Sequence, residues 1–229
     1  MEQATREPLD NVVWHALRGP HDTLAEGVGS ATRYRSSIAP FAALPDDMSN
    51  GAWSDLGALV GPGNMAVLFR DRVDAPEGWG EVDRLPTLQM LATNVDAELV
   101  ENAQVLGPAD VDEMIDLVAR TEPGPFARDT ITLGTYVGVR DGGRLIAMAG
   151  ERVRTESHTE ISAICTDPDH RGRGLAGMLT RHMVALIRDR RQVPFLHVLL
   201  DNVSALTLYR SLGFVERRET VVSIVTAPA

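Results

Sequence analysis

The sequence predicts an α/β (α+β) fold in which helices cover a mixed sheet, and two stretches carry that reading. "TYVGVRDGGRLIAMAGERV" joins two apolar runs across the turn "RDGG", the strongest hairpin signal in the chain, and a hairpin makes its strands antiparallel. "TEISAICT", the helical run from Leu175 and "FLHVLL" follow one another as strand, helix and strand, which implies a right-handed parallel crossover.

The first hundred residues are dense in turn signals: "RGPHD", "LPDDMSNG", "GPGN" and "APEGWG". Between them lie a short helical pattern, "AWSDLGALV", and two strand-like runs, "MAVLF" and "TLQMLAT". Trp14, Trp53, Trp79, His15 and His21 are scattered singly and read as packing residues. From about Glu101 the pattern tightens. "AQVLG" reads as a strand and "PADVDEMIDLVAR" as a helix, with Val111, Met114, Ile115 and Val118 on one stripe, Pro108 near its start and acids in its first turn. After the hairpin, "TEISAICT" is expected to alternate, Ile161, Ala163 and Cys165 facing one way and Glu160, Ser162, Ile164 and Thr166 the other. The next helix carries Leu175, Met178, Leu179, Met183, Leu186 and Ile187 on one face and ends in "RDRR", cations where the helix dipole favours them. The helix "NVSALTLYRSL" starts behind the capping candidate Asn202 and stops at Gly213, and the chain closes with strand-like "VVSIV".

Composition excludes several classes. The single cysteine, Cys165, rules out a disulfide framework, and "MEQATREPLDNVVWHALRG" lacks a basic region followed by an apolar run, so a cytoplasmic protein without a signal peptide is expected. No apolar stretch approaches the roughly 18 residues of a membrane span. The formal charge is −10 and all 22 basic residues are arginine, a balance that argues against nucleic acid and suits a cationic substrate. No HExxH, CxxC or Walker phosphate loop is present, so no metal is expected.

Against that acidic background, "DHRGRGLAGMLT" sets Arg171 and Arg173 among glycines just before the best-patterned helix. The loop leads from a strand into a helix N-terminus, where unpaired N–H groups and a partial positive charge point outward. That is an anion site, and a pyrophosphate suits it. Gly172, Gly174 and Gly177 also spell GxGxxG. In a dinucleotide fold, however, the first glycine follows its strand almost directly, whereas "DPDHR" intervenes here.

The other way to read the loop uses Arg171, Gly174 and Ala176, followed about 25 residues on by Asn202, Ala205, Tyr209 and Gly213-Phe214. On these two motifs, residues 99–229 resemble the GNAT superfamily of acyl-CoA-dependent N-acyltransferases. The resemblance implies a mixed, mostly antiparallel twisted sheet with one splayed parallel strand pair, flanked by helices. Residues 1–98 carry none of the motifs, and the two-part arrangement resembles the glycine N-acyltransferase-like branch, in which a degenerate acyltransferase-like half precedes a complete one.

The same resemblance implies acetyl-CoA or another acyl-CoA as co-substrate, a primary amine of a small molecule or peptide as acceptor, and direct attack. Arg171, Gly172, Arg173, Gly174, Leu175 and Ala176 are then expected to bind the pyrophosphate. Backbone N–H groups of Ile164, Cys165 and Thr166 would hold pantetheine and the acyl carbonyl. Glu160 is the candidate base, with Glu151 and Glu156 as alternatives, and any of them also reads as a solvated strand-end carboxylate. Tyr209 is the candidate acid or a packed aromatic, and Asn202 a helix cap, a pantetheine contact or both. Cys165 reads as a buried structural cysteine. Two other functions are weighed, a CoA-binding regulatory module without activity and a dinucleotide-binding oxidoreductase, and a homodimer is left open.

Overall fold

The computed structural model describes residues 7–229, so the first six residues of the start read above lie outside the described residues. In chain order the elements begin with α1 (Val12–Leu17), β1 (Ala25–Val28), β2 (Ala31–Tyr34), β3 (Phe41–Ala43), α2 (Asn50–Val60), β4 (Met65–Arg70) and β5 (Gly80–Leu91). There follow β6 (Gln104–Leu106), α3 (Val111–Thr121), β7 (Tyr136–Asp141), β8 (Arg144–Arg154) and β9 (His158–Thr166). The chain ends with α4 (Leu175–Asp189), β10 (Val193–Leu199), α5 (Val203–Leu212) and β11 (Val215–Thr226). Among the described residues no helix is long and apolar enough to cross a membrane.

Backbone contacts divide the chain into two compact units. The first comprises the chain up to Ser36, Pro40–Thr87 and Glu219–Ala229, and the second Ser37–Ala39 and Leu88–Arg218. In the first unit β1, β2, β3 and β4 are neighbours in that order. Their pairs are antiparallel except β3 with β4, which run parallel across α2, Phe41 opposite Val67 and Ala42 opposite Leu68. Ala52, Trp53, Leu56 and Val60 of α2 pack on Ala42, Leu68 and Val225. Trp53 meets Trp79 edge to face at 4.9 Å, so both pack as the sequence suggests. His21 Nδ1 lies 2.8 Å from the Tyr34 hydroxyl.

In the second unit the strand order is β5, β10, β9, β8, β7, β6, antiparallel from β9 to β6 and parallel between β9 and β10. The expected mixed, mostly antiparallel sheet with helices on its faces is therefore present. Alternate residues feed two cores: Val137 and Ala147 join Leu179, Met183 and Ile187 of α4, while Tyr136 and Met148 join Met114 and Leu117 of α3. The stripe buried by α3 is centred on Val111, Met114 and Leu117, with Ile115 and Val118 only half-buried.

The simple alternation expected along β9 fails at one residue. Ala163 takes φ +52, a left-handed conformation that costs an L side chain energy, and the register against β8 shifts there. The bulge resets the phase. Ile161 and Ile164, three apart, both pack on the α4 core, whereas Ala163 and Cys165 face the α3 core.

Candidate active site

The parallel pair supplies the opening. β9 and β10 are in register only as His158 with Val193, Thr159 with Pro194 and Glu160 with Phe195, although β9 runs on to Thr166 and β10 to Leu199. Beyond Glu160 the strands part, and that edge of β9 loses its strand partner along Ile161 to Thr166. The Thr166 hydroxyl at the far end is buried without a hydrogen-bond partner among the described residues. Cys165 is buried, and burial pushes its thiol up to about 11, a poor setting for a nucleophile.

The arginine and glycine loop sits at the end of that edge. Asp167, 2% exposed, accepts the Asp169 N–H at 3.0 Å and is ion-paired with Arg120 of α3 and Arg144 of β8, which pins the turn Pro168–His170. Gly172 and Gly174 then adopt φ +79 and +74, and a Cβ at either would meet nothing within 4 Å. The result is an open cradle with backbone in the left-handed region that glycine favours. α4 starts at Leu175 and Ala176, its first turn capped by no side chain because Gly174 has none. The Arg173 guanidinium is only loosely held, 3.5 Å from Asp141, with both side chains more than half exposed. Arg171 Nε lies 3.4 Å from the Thr166 carbonyl oxygen. Gly177, the third glycine of the dinucleotide fingerprint, lies inside α4, and a Cβ there would meet Leu208 and Leu212 of α5 at 3.5 and 3.6 Å. It serves helix packing.

Glu160 is no solvated carboxylate. It is 1% exposed and held by Arg152, whose Nε and Nη2 donate at 2.9 and 2.5 Å, and by His197 Nδ1 at 2.7 Å. Burial alone would raise its pKa, but Arg152 and His197 together outweigh burial and hold the carboxyl at about 2. On the far side of the ring, His197 Nε2 lies 2.9 Å from the Gln89 amide nitrogen, and Arg217 donates to the Gln89 amide oxygen at 2.8 Å. Arg152, Glu160, His197, Gln89 and Arg217 thus form one polar row across the neighbouring strands β8, β9, β10, β5 and β11. Glu151 is also buried but tied to Arg190 at the end of α4, and Glu156 is exposed.

Tyr209 comes from the other side of the sheet. It is 8% exposed in the α4 and α5 core, where Ile164 also packs, and burial pushes its phenol up to about 12. Asn202 caps α5, its Oδ1 accepting the Ala205 N–H at 3.1 Å. Gly213 ends the helix at φ +98, with the Asn94 carbonyl oxygen 2.4 Å from where a Cβ would stand, so only glycine fits. The strand parting therefore has Glu160 on the α3 face, Tyr209 on the α4 face and the loop at its end. Arg152, His197, Gln89 and Arg217 escaped the sequence reading. For Gln89 and His197 the trace is a polar residue set between apolar neighbours, in "LQM" of "TLQMLAT" and "LHV" of "FLHVLL".

Comparison with known proteins gives a family. The family model described as FR47-like protein matches residues 136–223. The N-alpha-acetyltransferase RimI of Mycobacterium tuberculosis is 43% identical over 82 residues, 34% of this chain and 51% of that enzyme. The chain thus spans about half the length of this curated relative. A GCN5-related N-acetyltransferase from Kribbella flavida shares the fold at 15% identity, with a TM-score of 0.64 over 96% of each chain. A solved GNAT-family protein from Novosphingobium aromaticivorans is 38% identical, with a TM-score of 0.89 over 98% of this chain and 100% of its own. A likeness of that identity along the whole length of both molecules makes this chain a member of the GNAT acetyltransferase family.

Proposed function

We propose that the protein transfers an acetyl or other short acyl group from acyl-CoA to a primary amine by direct attack. The observation that carries this reading is the parting of β9 from β10 beyond Glu160, with the open loop Arg171–Ala176 at its end. The residues present fit a pyrophosphate. The cradle at Gly172 and Gly174 is empty of side chains, the first turn of α4 has N–H groups that no side chain caps, and two arginines flank it. Bound acyl-CoA supplies the acyl group as an activated thioester.

The chain's own residues divide the remaining work. Arg171, Gly172, Arg173, Gly174, Leu175 and Ala176 hold the diphosphate, and Asn202, besides capping α5, contacts pantetheine. Backbone N–H groups of Ile164, Cys165 and Thr166 orient the acyl carbonyl and stabilise the negative charge that develops on its oxygen. The buried centre built on Glu160 receives the proton that the amine gives up. Tyr209 holds, on its hydroxyl, the proton that the departing sulfur needs. Its raised pKa keeps it protonated at rest, though it makes the phenol a weaker acid than a solvated tyrosine.

The acceptor is an amine of a small molecule or peptide, drawn by a chain whose formal net charge is −10. The relative's name, N-alpha-acetyltransferase, supports a peptide α-amine in particular. Freeing an α-amine, of pKa near 8, costs only about 1 kcal/mol at pH 7, against roughly 4 kcal/mol for an alkyl amine. Residues 1–98 read as a degenerate acyltransferase-like half, since β3, α2 and β4 repeat the parallel crossover without an arginine and glycine loop. The test is an acyl-CoA turnover screen over small amines, amino acids and peptides, read by mass spectrometry. An acylated amine is expected. A protein that millimolar acetyl-CoA stabilises against heat but that acylates nothing would instead be a CoA-binding regulatory module.

A further inference from the structure

We infer that His197, and not the Glu160 carboxylate itself, takes the proton from the acceptor amine, with Glu160, Gln89 and Arg217 as its positioning residues. The inference rests on the acyltransferase reading above. The hydrogen bonds of the row, buried at Glu160, His197 and Gln89, admit one arrangement of protons around the neutral ring. Arg217 has only donors, so the Gln89 atom it meets at 2.8 Å is the amide oxygen. The amide nitrogen therefore faces His197 Nε2 at 2.9 Å, and an amide nitrogen only donates. His197 Nε2 must carry the lone pair and Nδ1 the hydrogen, which it donates to Glu160 Oε1 at 2.7 Å. Arg217 fixes Gln89, Gln89 fixes the tautomer, and the tautomer aims a basic nitrogen away from the carboxylate.

Chemistry then separates the two candidates. The Glu160 carboxylate already accepts from Arg152 twice and from His197, so each oxygen is engaged by a cation or a ring N–H. Taking up a proton there would break the ion pair. Taking up a proton at His197 Nε2 keeps that ion pair and gives up only the neutral Gln89 N–H bond, and the carboxylate across Nδ1–H stabilises the imidazolium that forms. Charged groups acting on His197 include Glu160 from β9, Arg152 from β8 and Arg217 from β11; Gln89 of β5 is neutral, and the Phe195 ring of its own strand lies 5.5 Å away. Burial and the two arginines lower its pKa below 6.5, and Glu160 opposes them, so the ring is neutral and able to accept at pH 7.

In the step itself, the amine nitrogen's lone pair forms the bond to the acyl carbon. One N–H bond breaks, and its proton bonds to His197 Nε2 through the lone pair that the Gln89 N–H gives up. Tyr209 gives one proton to the leaving sulfur, so one proton is taken up and one released. Exchange with solvent restores both residues.

The experiment is the pH dependence of kcat/KM for amine-dependent thiol release from acetyl-CoA, run on the wild type and on His197→Gln. The wild-type rate should rise with pH through a midpoint below 6.5, and His197→Gln should lose that limb and at least about 100-fold in kcat, with acetyl-CoA affinity within twofold. A variant that keeps the limb and more than a tenth of kcat overturns the assignment. Nitrogen NMR of the wild type gives a second reading that needs no variant: protonated Nδ1 and bare Nε2 are expected for His197 at pH 7.5, and an Nε2–H tautomer overturns the proposal. A wild type that releases no thiol with any amine brings down the acyltransferase reading itself, an outcome distinct from an active wild type that ignores His197.

Discussion

β3 passes through α2 to its parallel neighbour β4 much as β9 passes through α4 to β10, yet the two helices begin in opposite ways. Before α2 stands "LPDDMS", and Ser49 turns its hydroxyl onto the Ala52 N–H at 3.3 Å. The protein satisfies its own helix start there and puts Asp46 and Asp47 beside it. Before α4 stands "DHRGRG", Gly174 brings no capping side chain, and the nearby charges are Arg171 and Arg173. Both helices carry the same dipole. What differs is whether a side chain takes the first-turn N–H groups or leaves them for a ligand. The strands differ in the same sense: β3 and β4 pair Phe41 with Val67 and Ala42 with Leu68, whereas the last registered pair of β9 and β10 includes Glu160.

The largest expected effect tests the strands. Glu160→Gln leaves the half-buried Arg152 beside a neutral partner and should lower unfolding stability by about 3 kcal/mol in denaturant titration. The matching pH dependence has a definite sign. Both Glu160 and His197 have folded pKa values below their ordinary 4.5 and 6.5, so their contribution is complete above those values. It should decline as pH falls below 6.5, and further between 4.5 and about 2, in melts across that range. Next in size is Tyr209→Phe, expected to cut turnover about 100-fold while the thermal shift given by acetyl-CoA is kept. Arg173→Glu tests the helix start directly, with acetyl-CoA affinity expected to drop about 10-fold by calorimetry and the loss to shrink at high salt. Smallest is Ser49→Ala, which removes the cap of α2 at about 1 kcal/mol of stability and should leave acetyl-CoA affinity unchanged. An affinity that followed Ser49 and ignored Arg173 would invert the comparison.

What could be seen in the sequence was local. The hairpin turn, the Asn202 cap, the Gly213 stop and the loop Arg171–Ala176 each write their conformation within a few neighbouring residues, and each is where the spacing placed it. The phase of β9 was hidden because one left-handed residue, Ala163, shifts every later side chain to the opposite face, and alanine gives no sign of it. The polar row was hidden for a different reason. Gln89 and Arg217 are separated by 128 residues in sequence, and no window of the chain holds both. Glu160 stood out as a carboxylate, but its buried ion pair depends on partners from two other strands.

The open start of α4 is proposed to bind the co-substrate while the polar row does the proton chemistry. Initial rates of amine-dependent thiol release against acetyl-CoA concentration, for the wild type and Arg173→Glu, test it most directly. The account predicts saturable release in both, with KM for acetyl-CoA raised about 10-fold and kcat within twofold in the variant. A KM indifferent to Arg173, or a wild type that releases no thiol, would contradict it.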